Sequence, residues 1–335
     1  MNKTILITGG TSGIGFQAAK LLLKAGCRLI IICRNQERSK ELLLRFKNDN
    51  SIGKESILKN LDLRIADLAD LNSLEKLTNK LIREDILIDI IILNAGLQYT
   101  GSKDIRLSKQ SIELTFAVNH LSHQYLIQRL MKLVIKSEFP RIIVTASEVH
   151  NPLLAGGKVG RPAGLGNLLG LSSLKKVCMI DGTSIFNADK AYKDSKLCNV
   201  IFSRELYRRL KLRGLNIPII CWAPGLVIPR SKGGFFRYSR KYNELGQIVF
   251  SFIARDLLRI TESVEKAGQI LFNLAINSEY ANPGFSYYSN RLKLFASSSL
   301  EESEISEEAK DDKKAFELWN LSNQLLIKYC TLETM

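Results

Sequence analysis

The chain has 335 residues, 45% of them hydrophobic and 24% charged, which excludes disordered and fibrous classes and leaves ample chain for a core without staples. Forty-eight Lys and Arg against 33 Asp and Glu give a formal charge of +15. A Lys-rich surface often serves solubility alone, and with no recognised nucleic-acid-binding module in the chain, no nucleic-acid partner is expected. Six cysteines (27, 33, 178, 198, 221 and 330) show no CxxC and no short paired spacing, so they read as reduced thiols of a cytoplasmic protein. No apolar run approaches the ~18 residues of a membrane span. The first strand-like segment begins at Lys3, leaving no room for a signal peptide, and a soluble intracellular protein is expected.

In chain order, short Ile/Leu/Val runs at 4–7, 28–32, 88–93, 141–145 and 217–222 have strand length, and an alternating stretch at 57–67 supplies a third strand. Helical periodicity fills 13–25, 36–47, 71–83, 109–136 and 188–213. Continuous apolar strands alternating with amphipathic helices predict an α/β fold with a doubly wound parallel sheet of Rossmann type, whose ligands lie outside the carboxyl ends of the strands. Two segments break the rhythm: a Gly/Leu/Ser-rich insertion at 150–187, far longer than an ordinary connection, and an excursion at 224–260 expected as a substrate lid. Residues 1–295 are therefore expected as one domain, followed by a solvated acidic linker at 296–312 and a C-terminal helix within 313–335. The stretch 230–241 (RSKGGFFRYSRK) mixes cations with aromatic residues, a pattern that suits an anionic membrane surface or an acidic ligand, against the plainer reading of a solvated loop.

The first strand runs into Thr8-Gly9-Gly10-Thr11-Ser12-Gly13-Ile14-Gly15 and then a helix. Glycines permit a tight turn, and a helix N-terminus offers free N–H groups to a pyrophosphate. The second strand ends Cys33-Arg34, where an NAD enzyme places a carboxylate for the ribose 2′-OH; Arg34 suits a 2′-phosphate, and hence NADPH, the competing reading being a surface arginine. Tyr192 and Lys196 lie four apart, on one helix face. An ammonium beside a phenol lowers its pKa, so Tyr192 can exchange a proton while Lys196 also holds a ribose. His120 and His123, three apart, are a conceivable metal pair, but no carboxylate or cysteine nearby in sequence completes a site, and no metal is expected. His150 reads either as a site residue or as a plain loop histidine.

The G-x-x-x-G-x-G turn, Asn94-Ala95-Gly96 after the fourth strand, Asn119, Ser147 and Tyr192-x-x-x-Lys196, in this order, resemble the short-chain dehydrogenase/reductase family. That resemblance implies a nicotinamide site built from Gly9, Thr11, Ser12, Gly13, Ile14, Gly15, Arg34, Asp67, Leu68, Asn94, Ala95, Gly96, Tyr192, Lys196, Pro224 and Gly225. It implies a catalytic set of Tyr192, Lys196, Ser147 (hydrogen-bonding the reacting group) and Asn119 (anchoring a relay water). Within the family, Asn119-His-Leu-Ser-His123, the insertion with Gly164-Leu-Gly-Asn-Leu168 and Met179-Ile-Asp-Gly182, Ala191-Tyr-Lys-Asp-Ser-Lys-Leu-Cys-Asn199, and Phe316 to Leu326 are similar to light-dependent NADPH:protochlorophyllide oxidoreductases over nearly the whole chain. The resemblance implies reduction of the C17=C18 bond of a tetrapyrrole, with hydride from NADPH and a proton from Tyr192, on a protein that touches photosynthetic membranes peripherally. The chain departs from that pattern at Pro224-Gly225-Leu226, where those reductases carry Pro-Gly-Cys, at Asn94-Ala-Gly-Leu-Gln98, where they carry Asn-Ala-Ala-Val-Tyr, and through 226–260. Two other readings therefore stand beside the first: light-independent carbonyl or alcohol chemistry on a lipophilic substrate, as in retinol dehydrogenases, and a non-catalytic pigment carrier.

Overall fold

In the computed structural model the apolar runs become β1 (Thr4–Thr8), β2 (Arg28–Cys33), β4 (Ile90–Leu93), β5 (Arg141–Thr145) and β6 (Ile219–Ala223), nearly every residue of them buried. The structure describes residues 3–172, 177–228, 261–291 and 299–332, together with Glu244 and Ile248. With β3 (Leu61–Ile65), β7 (Phe285–Arg291) and β8 (Ser299–Glu302), its strands form one eight-stranded sheet in the order β3-β2-β1-β4-β5-β6-β7-β8. The reversal of winding lies beside β1, between the halves β3-β2-β1 and β4 onward, where such sheets open a crevice for a ligand. Helices α1 (Gly13–Lys24) and α2 (Gln36–Lys47) follow the first two strands, and α4 (Leu71–Arg83) follows the third.

The structure departs from the sequence reading at four places. The stretch 57–67 is not all strand: Lys54–Asn60 forms a short helix, α3, and β3 is only Leu61–Ile65. Ile57 is buried and Ser56 Oγ donates to Leu23 O at 3.0 Å, so contact with the end of α1 overrides the local alternation. Helix 109–136 begins late, as α5 (Leu114–Phe116), because the Glu113 carboxylate caps it by accepting Thr115 N and Phe116 N, both at 2.8 Å. A π-helical turn at Ala117–Leu121 then leads into α6 (Ser122–Val134). The sheet also gains β7 (Phe285–Arg291), parallel to β6, and β8 (Ser299–Glu302), antiparallel to β7. The stretch 296–312 is thus no plain linker: it carries β8 and a helical turn, α11 (Glu307–Lys310). Glu301 and Glu302 stand on the outermost strand, where charge discourages further pairing.

The insertion after β5 is built into the core. It contains a 3-10 turn (Glu148–His150), α7 (Ala155–Lys158) and α8 (Leu169–Ser172), and Leu165, Leu168, Leu171 and Val177 are buried with the side chains of α6 and α9 (Ala188–Leu212). Helix α10 (Val264–Ile276) lies against α1 so closely that a methyl on Gly268 would strike Gln17. Helix α12 (Asp312–Tyr329) covers α9, with Trp319 stacked on Phe202 at 5.6 Å between ring centroids. Apart from Glu244 and Ile248, residues 229–260, including the basic-aromatic stretch 230–241, lie outside the described residues.

Candidate active site

The turn after β1 is shaped by backbone contacts. Gly9 and Gly13 take positive φ, and a methyl on Gly15 would run into the Gly9 carbonyl and the Asn94 side chain, so glycine is required there. A methyl on Gly13 meets nothing, and this open side is where a pyrophosphate can lie. Ser12 occupies the N-cap of α1 without capping it through its side chain, and the first intrahelical bond is Phe16 N to Ser12 O. The leading N–H groups are thus left for an anion, and the residues fit the diphosphate of a dinucleotide. Thr11 O is held by Arg45 Nη1 at 2.7 Å, the guanidinium lying on the Phe16 ring.

The other cofactor-side positions converge on the same edge. Arg34 is exposed after β2 and has no hydrogen bond or ion pair among the described residues. Burial pushes the neighbouring Cys33 thiol up to about 11, so that strand end carries no anion to repel a phosphate. Asp67 Oδ1 accepts Ala69 N at 3.0 Å and fixes the turn through Leu68. The Asn94 amide reaches Gly9 O, and its oxygen accepts the Thr145 hydroxyl at 3.3 Å. Ala95 and Gly96 continue that edge. Pro224 O accepts Asn290 Nδ2 at 3.2 Å from β7, and Gly225 takes a positive φ.

Helix α9 carries Tyr192 and Lys196, its first turn capped by Asn187. Lys196 is buried, its Nζ donating to Thr145 O at 3.0 Å, and burial lowers its pKa to about 8. Burial pushes the Tyr192 phenol up, and a hydrogen bond with Ser147 pulls it back. The expectation that Lys196 tunes the phenol meets a different arrangement: Nζ is turned to the β5 carbonyl, 5.9 Å from the Tyr192 ring centroid. Asn119 sits in the π-helical turn. Its oxygen accepts Leu97 N at 2.8 Å, and its nitrogen donates to Leu97 O and Ser195 Oγ, both at 3.0 Å. Its side chain therefore ties the loop after β4 to α9.

The three histidines are buried and neutral. His120 lies between Phe116 and Phe202, with Nε2 3.4 Å from Ser322 Oγ; His123 Nε2 is 3.0 Å from Thr8 Oγ1. Each imidazole thus serves a different neighbour. His150 accepts Ser306 N through Nε2 at 3.3 Å and donates Nδ1–H to Ser147 O at 2.8 Å, burial lowering its pKa to about 4. It supports Ser147 from within the fold instead of facing a cleft. Sequence reasoning assigned no site role to Thr8, Thr145, Ser195 or Asn290, all of which bond to candidate site residues; lone Ser, Thr and Asn residues give no spacing signal.

Comparison with known proteins fits this arrangement. The family model described as short chain dehydrogenase matches residues 3–157. Over that stretch, a little under half of its length, the chain is similar to the short-chain dehydrogenases. Among its relatives, chloroplastic protochlorophyllide reductase of Pisum sativum is 29% identical over 329 residues, covering 96% of this chain and 77% of that protein. Protochlorophyllide reductase of Avena sativa is 27% identical, covering 96% and 99%. The fold is shared with an uncharacterised protein from Mycobacterium paratuberculosis (TM-score 0.66, 23% identity, 97% and 93% covered). It is shared too with L-sorbose reductase of Gluconobacter frateurii solved with NADPH and L-sorbose (TM-score 0.62, 16% identity, 88% and 97% covered). These similarities support an oxidoreductase that uses a nicotinamide cofactor. Among the described residues no helix is long and apolar enough to cross a membrane.

Proposed function

We propose that the protein is an NADPH-dependent reductase of protochlorophyllide or a closely similar tetrapyrrole, acting on the C17=C18 double bond. The observation that carries this reading is Tyr192 beside a buried Lys196 on one face of α9, flanked by an insertion whose leucines are part of the main core. The bound nicotinamide cofactor supplies the hydride. Tyr192 delivers the proton to the neighbouring carbon; its raised pKa keeps it protonated until transfer, and Ser147 stabilises the phenolate left behind. Lys196, on the same helix face, holds the nicotinamide ribose, and Asn119 keeps the loop after β4 against α9. Arg34 and the leading N–H groups of α1 bind the phosphates, with Arg34 selecting the 2′-phosphate. Residues 230–241 contact the pigment carboxylate or an anionic membrane surface.

Leu226 favours a second reading, light-independent reduction of a lipophilic carbonyl, because it leaves the position of the expected cysteine without a proton donor. The deciding experiment is NADPH oxidation with protochlorophyllide in light and in darkness, beside a panel of lipophilic aldehydes and ketones. Light-dependent formation of chlorophyllide is expected. Turnover of the carbonyl panel in darkness with an unchanged pigment spectrum in light selects the second reading.

A further inference from the structure

We propose that His123, buried on α6, is a positioning residue for the nicotinamide site: it accepts the Thr8 hydroxyl proton and so fixes the backbone turn at Asn94-Ala95. The Thr8 hydroxyl oxygen accepts two backbone bonds, from Asn94 N and Ala95 N, both at 3.0 Å. A hydroxyl has two acceptor lone pairs and one proton. With both lone pairs engaged, the proton goes to the remaining polar neighbour, His123 Nε2, at 3.0 Å. The imidazole is thereby fixed as the tautomer protonated at Nδ1, which has the Asn119 backbone carbonyl as its polar neighbour and no well-formed bond of its own. Burial, reinforced by the nearby Lys196 charge, lowers the His123 pKa to about 3, so the ring stays an acceptor.

The consequence falls on the cofactor edge. Thr8 ends β1 directly before Gly9, and Asn94-Ala95 directly follows β4, so one hydroxyl joins the two strand ends on either side of the winding reversal. Without an acceptor at His123, the hydroxyl proton is left unsatisfied in a dry site. The hydroxyl then turns to another acceptor and gives up Asn94 N or Ala95 N. The turn is no longer preorganised, and cofactor binding must order it.

The test is direct NADPH binding, followed by the fluorescence of the bound nicotinamide, with thermal unfolding of each variant in parallel. His123→Phe keeps a planar ring without an acceptor and is expected to raise the NADPH Kd about tenfold. His123→Gln, whose Oε1 can stand near the Nε2 position, is expected to recover most of that loss. In a Thr8→Val background, His123→Phe should add less than about twofold, because the hydroxyl it serves is gone. Should His123→Phe not fold, His123→Met supplies the acceptor-less arm. Equal affinity losses in the Phe and Gln variants, or full additivity with Thr8→Val, would overturn the assignment.

Discussion

The cofactor side and the substrate side of this sheet are held by different forces. Around β1, α1 and β4 the geometry is made by backbone: glycines that admit no methyl, uncapped N–H groups, and one threonine hydroxyl between two strand ends. Beyond β5 it is made by buried charge. Lys193 donates to Val159 O, to Arg161 O at 3.0 Å and to Gly157 O at 3.4 Å, and pairs with Asp189 at 3.2 Å. Lys190 pairs with Asp194 at 2.6 Å and Asp181 at 3.2 Å, while Asp194 accepts Gly164 N at 2.9 Å. Glu308 of α11 accepts Leu165 N at 2.9 Å and Lys314 Nζ at 2.6 Å. Helix α9 thus carries the candidate pair Tyr192 and Lys196 while neighbouring residues of the same helix staple the insertion. Backbone-built geometry tolerates few side chains, whereas charge-built geometry can be met by many pairings.

The comparison is broken most severely at the residue shared by both sides. Tyr192→Phe is expected to lower kcat about 10²–10⁴-fold while NADPH binding holds within a few-fold, because one proton-transferring hydroxyl is lost. Single-turnover kinetics beside direct NADPH titration measure both; near-normal turnover would move the proton donor elsewhere. Lys193→Met should destabilise the chain by about 3 kcal/mol, since three carbonyls and Asp189 lose a buried cation. Limited proteolysis should then cut first within 155–161, with NADPH affinity retained before unfolding; an equal loss of NADPH affinity would show that the two sides are not independent.

On the cofactor side, Arg34→Ala should weaken NADPH binding about tenfold or more and leave NADH binding nearly unchanged, as seen by parallel titrations. Equal losses would make Arg34 a surface arginine. The smallest effect is the titration of Lys196, whose folded pKa of about 8 lies below its unfolded value near ~10.4. Between those values the unfolded chain binds more protons, so this group makes stability rise with pH by about 1.4 kcal/mol per unit. With Lys196 holding the ribose as proposed, NADPH affinity is expected to fall over the same window, above about pH 8. Subtracting the urea-unfolding pH profile of Lys196→Met from that of the wild type isolates the group; a flat difference between pH 8 and 10 would contradict its buried, lowered state.

Reading the chain alone locates six of the strands, the glycine turn, Asn94-Ala95-Gly96, and Tyr192 and Lys196 on one helix face, because each follows from periodicity or from backbone geometry that few residues allow. It misses β7 and β8, whose sequences FSYYSNR and SLEE carry no apolar run and become strands only through pairing with β6 and each other. It extends β3 into α3, where packing of Ile57 and the Ser56 bond decide otherwise. His150 shows the limit clearly. As a residue three positions after Ser147 it reads equally as site or loop, and only the arrival of Ser306 from 156 residues downstream makes it a buried clamp. The sequence by itself determined the sheet's winding, the cofactor edge and the Tyr192–Lys196 pair, since these depend on local conformation and spacing. The tertiary structure decided which histidine serves which neighbour, where Asn119 directs its amide, and that the insertion belongs to the core, since these depend on burial and on partners that no local pattern encodes.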